Sequence, residues 1–144
     1  VVVGIEGVVS HVLNSPARIR RLLDDVKSRN LQVVFDPVNL LSAENYLQQD
    51  RVLKESLDLF GDRIAAVHAK DFVMETVRDA DDDFAVTTMK QVRAGGGGKG
   101  MFKYDALVKW LIERKPGISI LLEEASEETV EQCAAYLNSK AQGR

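Results

Sequence analysis

One cysteine stands among 144 residues. A lone Cys133 excludes an internal disulfide and any zinc site built on several thiolates. It is in keeping with a reducing, cytoplasmic setting. Basic charge is also in short supply: 19 Lys and Arg face 22 Asp and Glu, for a net charge of -3. Nucleic acid is therefore not expected as a partner, because neutralising phosphates needs a basic face. No apolar run approaches the roughly 20 residues of a membrane-spanning helix, so no membrane partner is expected. The opening VVVGIEG lacks the basic region and cleavage site of a signal peptide. It lacks an initiator methionine as well, and reads as the middle of a strand. We expect residues 1–144 to form a single domain that is the C-terminal part of something longer.

What is present repeats. Four apolar runs, each followed by a helical pattern, succeed one another. VVVGIE leads to a helix with Ser15 at its N-cap and Pro16 in its first turn. Ile19, Leu22, Leu23 and Val26 form its apolar face, and Asn30 is suited to end it. LQVVFDP leads to a helix over about Ala43 to Phe60, with Tyr46, Leu53, Leu57 and Phe60 inward and Gly61 as a left-handed stop. RIAAVHAKDF is the third strand. It is followed by a polar excursion expected to be a hairpin turning at Asp79 to Asp83, then a glycine loop. Tyr104 to about Arg114 is the third helix, with Leu107, Val108, Leu111 and Ile112 inward and Pro116 beyond. ISILLEE is the fourth strand. Its helix is capped by Ser126 and faces inward through Val130, Cys133, Ala134 and Leu137.

Alternation of apolar strands and amphipathic helices means an α/β fold with a parallel sheet covered by helices. It is either an open doubly wound sheet or part of a (β/α)8 barrel. A full barrel takes about 250 residues, so four βα units are half of one. The edge strands of such a half are long and apolar, which proteins avoid exposing. We therefore expect the remaining half either from a second copy, as a homodimer, or from an N-terminal half of a longer chain.

The run LQVVFDPVN raises the functional question, since it ends on a carboxylate, Asp36. The other three runs behave alike: Glu6 ends the first, His68 lies in the third and Glu123 ends the fourth. Successive members are 30, 32 and 55 residues apart. In parallel α/β folds the C-terminal strand ends open on one face. Three carboxylates gathered there repel one another, and a divalent cation relieves that repulsion. Three oxygen donors with one imidazole suit Mn²⁺, Mg²⁺ or Co²⁺ and tolerate Zn²⁺. A carboxylate at one strand end is ordinarily a solvated loop residue, and a single His68 is ordinarily structural. Four such residues in four strands favour a shared site.

The motifs GIEGVVSHVLNSP, VVFDPVNLL, DRIAAVHAKDF and ILLEEA resemble the sugar phosphate isomerase/epimerase group of the xylose-isomerase-like TIM barrels. That group includes ketose 3-epimerases and inosose dehydratases. The resemblance covers essentially the whole chain, matched to the C-terminal half of the barrel. It implies metal ligands at Glu6, Asp36, His68 and Glu123, and makes Glu6 and Glu123 the acid/base pair of a proton transfer through an enediolate. The implied substrate is a sugar or sugar phosphate. A lyase of the dehydratase kind, and a catalytically incomplete half-barrel, are the alternatives. Two positions depart from the ketose epimerases: Asn39 stands where they carry a histidine, and Met74 where they carry an arginine. His11, Asn39 and Lys70 are expected to contact substrate, although His11 also suits a surface loop and Lys70 also suits a pair with Asp71.

Two further motifs carry less. Gly95, Gly97 and Gly100 satisfy G-x-G-x-x-G, but TTMKQVRA before them is too polar for a central dinucleotide-binding strand. A mobile loop over the site is expected instead, with Lys99 near an anionic group. The acidic run at residues 79–83 lacks the glycine and glutamate of a calcium loop and is read as a solvated turn.

Overall fold

Residues 1–78 and 85–142 are described by the computed structural model of the chain. The acidic run and its expected turn lie outside them. The elements in chain order are β1 (Val3–Ile5), α1 (Pro16–Val26), β2 (Leu31–Phe35), α2 (Gln49–Phe60), β3 (Ile64–Arg78), β4 (Ala85–Arg93), α3 (Tyr104–Arg114), β5 (Ser119–Leu122) and α4 (Val130–Gln142). Strands β1, β2, β3 and β5 pair side by side in that order, all parallel. They form half of a (β/α)8 barrel, as the strand–helix alternation led us to expect. Strand β3 runs on beyond this sheet and pairs antiparallel with β4, from Lys70 opposite Arg93 to Arg78 opposite Ala85. The described parts of the polar excursion on either side of residues 79–84 thus form a ribbon grown directly out of the third strand.

Period-two alternation divides the sheet. Val33 and Phe35 of β2 and Val67 and Ala69 of β3 are buried among Ile19 and Leu23 of α1, Phe60 of α2, Leu107 and Leu111 of α3 and Leu137 of α4. Phe35 meets Phe60 edge to face, with ring centroids 5.5 Å apart. The intervening residues, Ala66, His68 and Lys70, look the other way, into the trough of the half-barrel. Among the described residues, strands β1 and β5 each pair on one edge only. Apolar residues of both stand exposed, Val3 at 54% and Leu121 at 47%. Among the described residues, no helix is long and apolar enough to cross a membrane.

Several local expectations are corrected. Helix α1 ends earlier, at Val26, because Lys27 rather than Asn30 takes the left-handed conformation and its N–H reaches the Leu23 carbonyl. Val26 consequently lies on the exposed side. Ser15 occupies the N-cap in extended conformation without a side-chain capping bond. A separate 3-10 turn, Tyr46–Gln48, precedes α2, which begins at Gln49. Gly61 is right-handed, not a left-handed stop. Its lack of a side chain serves packing, since a Cβ there would come within 2.6 Å of the Trp110 ring. Ile112 is exposed beside Pro116 and Ile118. Helix α4 begins at Val130, itself exposed, after a turn closed by Val130 N–H to the Ser126 carbonyl.

Candidate metal centre

Pro37 explains how Asp36 comes to end a buried strand. Its φ of -66° starts a 3-10 turn, Val38–Leu40, directly after β2. The backbone N–H groups of Val38 and Asn39 then point back and donate to Asp36 Oδ1 at 2.9 and 3.1 Å. One carboxylate oxygen is spent on the backbone. The other, Oδ2, is buried and makes no hydrogen bond, although Lys70 Nζ approaches within 3.2 Å as an ion pair that is not aligned for one. Asp36 is 2% exposed, and burial pushes its carboxyl up to about 6, partly offset by the charge of Lys70.

The other strand ends deliver their side chains to the same place. Each of Glu6, Asp36, His68 and Glu123 offers a ligand atom, and these four atoms lie within 4.8 Å of one another. His68 Nδ1 stands 2.6 Å from Glu123 Oε1 and 3.3 Å from Glu6 Oε1. Glu123 turns its second oxygen to Lys70 Nζ, at 2.7 Å. Three acids and an imidazole aimed at one point, with a buried oxygen among them that accepts no hydrogen bond, fit a divalent cation of the hard oxygen-preferring kind. Such an ion needs short contacts to all four at once, and a spread under 5 Å permits that.

The remaining expected residues fall into three situations. Asn39 is inside the constellation: its Nδ2 donates to Glu6 Oε1 at 2.7 Å. Lys70 is inside as well, buried, and pairs with Asp36 and Glu123 rather than with Asp71. The attraction has a visible cost. Burial pulls the Lys70 ammonium down, and the hydrogen bond to Glu123 and the charge of Asp36 more than restore it, leaving it raised. His11 is exposed on the loop after β1, and its side chain makes no hydrogen bond or ion pair with the four among the described residues. Met74 lies in the ribbon opposite Met89.

Two residues were not foreseen from sequence. Gln91 of β4 donates to Asn39 Oδ1 at 3.0 Å, so the chain Gln91–Asn39–Glu6 links the ribbon to the first acid. Its only signal is a polar residue in a polar strand, which sequence cannot distinguish from a solvated one. Asp71 has no exposed surface. Its Oδ1 accepts from Phe72 N–H and Phe102 N–H, both at 2.8 Å, and its Oδ2 from Gly95 N–H at 3.2 Å. Burial raises its pKa against the pull of those backbone donors. The glycine loop is therefore tied at both ends to β3, where a mobile lid was expected. Lys99 on that loop is exposed. At Gly100 a Cβ would lie 1.9 Å from Asp71 Oδ2, so the loop's close approach requires glycine there.

Residues 1–140 match the family model described as xylose isomerase-like TIM barrel. The chain belongs to that family. A solved structure is similar, the probable 3-DHS dehydratase AsbF involved in petrobactin synthesis from Bacillus anthracis. It superposes with a TM-score of 0.61 at 12% identity, over 95% of this chain and 48% of that one. The chain thus spans about half the length of that relative, and at this identity the likeness concerns the fold. No curated protein matches the sequence. Within the xylose isomerase-like frame, the four converging side chains sit at the C-terminal strand ends, the face on which barrel sites are built.

Proposed function

We propose that this family member acts on a sugar or sugar phosphate by proton transfer beside a carbonyl, with one divalent cation held by Glu6, Asp36, His68 and Glu123. The observation that carries the reading is the meeting of these four ligand atoms within 4.8 Å. The cation, Mn²⁺, Mg²⁺ or Co²⁺ with Zn²⁺ tolerated, would supply Lewis acidity to a substrate oxygen when bound. The protein's own groups do the rest. Glu6 and Glu123 both approach His68 Nδ1 and serve as base and returning acid. Asn39 holds Glu6 Oε1 and fixes the direction of that carboxylate. Lys70 is placed beside Glu123, where its ammonium offers a donor to charge developing on the substrate. His11, on an exposed loop, is a substrate contact only if the loop folds inward.

A lyase is the second reading, because the enediolate formed by the same base can expel a β-hydroxyl. What favours it here is the local chemistry: Asn39 is engaged with Glu6, and Met74 is paired within the ribbon. The histidine and arginine that ketose epimerases carry at these two positions are thus replaced by side chains engaged within the protein. The structural neighbour's description as a probable dehydratase is compatible with this reading. Both readings need the trough of the half-barrel closed, and we include in the proposal that a second copy or an N-terminal half covers the open edges of β1 and β5.

The test has two stages. Isothermal titration of the full chain with Mn²⁺ should show one site, lost in His68→Ala. Proton NMR in D₂O with Mg²⁺ and a panel of ketoses, ketose phosphates and inososes should then show solvent exchange at one carbon, absent in Glu123→Gln. A chain that binds no divalent ion would end both readings. Light scattering that shows a monomer would count against completion by a second copy.

A further inference from the structure

The proposed centre contains a positive charge of its own. Lys70 is 4% exposed, and its Nζ lies 2.7 Å from Glu123 Oε2 and 3.2 Å from Asp36 Oδ2. Its place is fixed by the strand. It lies two residues after His68, so both project from the same face of β3. The next residue, Asp71, is locked into the opposite side by three backbone N–H groups. The Tyr104 hydroxyl donates to the Lys70 carbonyl, which holds the backbone from behind. A buried ammonium persists only where carboxylates pair with it, so this cation is a permanent member of the cluster.

Charge arithmetic gives it a role. Glu6, Asp36 and Glu123 supply three negative charges, and Lys70 cancels one. Two remain, which one divalent ion neutralises. Without Lys70 the cluster would hold an excess of one and would favour ions of higher charge. Coulomb repulsion between the ammonium and an incoming ion grows in proportion to the ion's charge, so Lys70 should penalise a trivalent ion half as much again as a divalent one. We propose that Lys70 is the charge-setting residue of this site: it matches the acid cluster to a single divalent cation and discriminates against trivalent ions. This inference rests on the metal centre proposed above.

The test compares the full wild-type chain with Lys70→Met, Lys70→Gln and Lys70→Arg. Each is titrated separately with Mn²⁺ and with Tb³⁺ at pH 7.5 in a non-coordinating buffer, and circular dichroism checks folding. Lys70→Met should bind Mn²⁺ at least tenfold more tightly than wild type, and its gain for Tb³⁺ should be the larger of the two. Lys70→Gln, which keeps hydrogen-bonding capacity while losing the charge, should follow Lys70→Met and serves if the methionine variant does not fold. Lys70→Arg should stay near wild type for both ions. A merely structural lysine would weaken both ions alike or change neither. If both neutral variants bind Mn²⁺ no more tightly than wild type, or gain equally for both ions, the inference is overturned while the metal centre stands. If wild type itself takes up neither ion, the centre and the inference fall together.

Discussion

Asp36, directly after β2, and Asp71, within β3, are both buried acids, and they use their oxygens differently. Asp71 spends both on backbone N–H groups: Phe72 and Phe102 on one, Gly95 on the other. Asp36 spends one on Val38 and Asn39 and leaves the other without a hydrogen bond, beside the Lys70 ammonium. The first arrangement is complete in itself and ties the glycine loop to the strand. The second leaves a buried lone pair facing His68, Glu6, Glu123 and Lys70, which is affordable only where a cation is at hand. Burial alone does not separate a structural carboxylate from a ligating one. The difference lies in how many of its acceptor sites the backbone has already filled.

Breaking each acid separately is the sharpest way to test this contrast. Asp36→Ala should weaken Mn²⁺ binding by about a hundredfold or more, since it removes a buried ligand whose Oδ2 accepts no hydrogen bond from the backbone. Isothermal titration reads this directly, and Asp71→Ala should leave the affinity within about threefold of wild type if the loop anchor is independent of the centre. The effects on folding should be reversed. Asp71→Ala strands three backbone donors and should cost about 3 kcal/mol in urea unfolding, whereas Asp36→Asn, which keeps an acceptor for Val38 and Asn39 and removes a buried charge, should not destabilise EDTA-treated protein and should stabilise it above pH 6. An equal loss of stability in both would erase the distinction.

The comparison also has a pH signature. The Asp36 carboxyl is raised to about 6 in the folded chain, above its ordinary value near 3.9. A raised acid binds its proton more tightly folded than unfolded. Its contribution is therefore favourable below about pH 4 and is lost as the pH rises toward 6. In EDTA-treated protein this should remove up to about 3 kcal/mol of stability across that window, and Asp36→Asn should flatten the slope. Asp71 is raised in the same direction, so a shallower slope should survive in Asp36→Asn. The smallest effect expected is that of Tyr104→Phe. Losing the bond to the Lys70 carbonyl should cost about 1 kcal/mol in unfolding and alter Mn²⁺ affinity only slightly.

Much of the frame was legible in sequence, because apolar periodicity is dictated by burial and survives without knowing the partners. Helix α3 runs from Tyr104 to Arg114, the span its pattern of Leu107, Val108 and Leu111 indicates. Ile112 fits that pattern equally well and is exposed, since the pattern says which residues can be buried and not what arrives to cover them. Gly61 was misread for a related reason: a glycine after a helix ordinarily supplies a left-handed turn, and here it makes room for Trp110, a residue 49 positions away. The end of α1 turned on Lys27, a left-handed non-glycine residue that no local rule singles out.

The amino-acid order alone determined that four strands would alternate with helices in parallel and that Glu6, Asp36, His68 and Glu123 would each stand at or near a strand end. Period two and the common direction of the strands require it. Tertiary structure decided which groups complete the site. Lys70 could equally have faced Asp71 or the acids, Asn39 a substrate or Glu6, and Gln91 solvent or Asn39. Each choice is a matter of a few ångströms between side chains far apart in sequence, and only the sheet register and the depth of burial fix distances of that size.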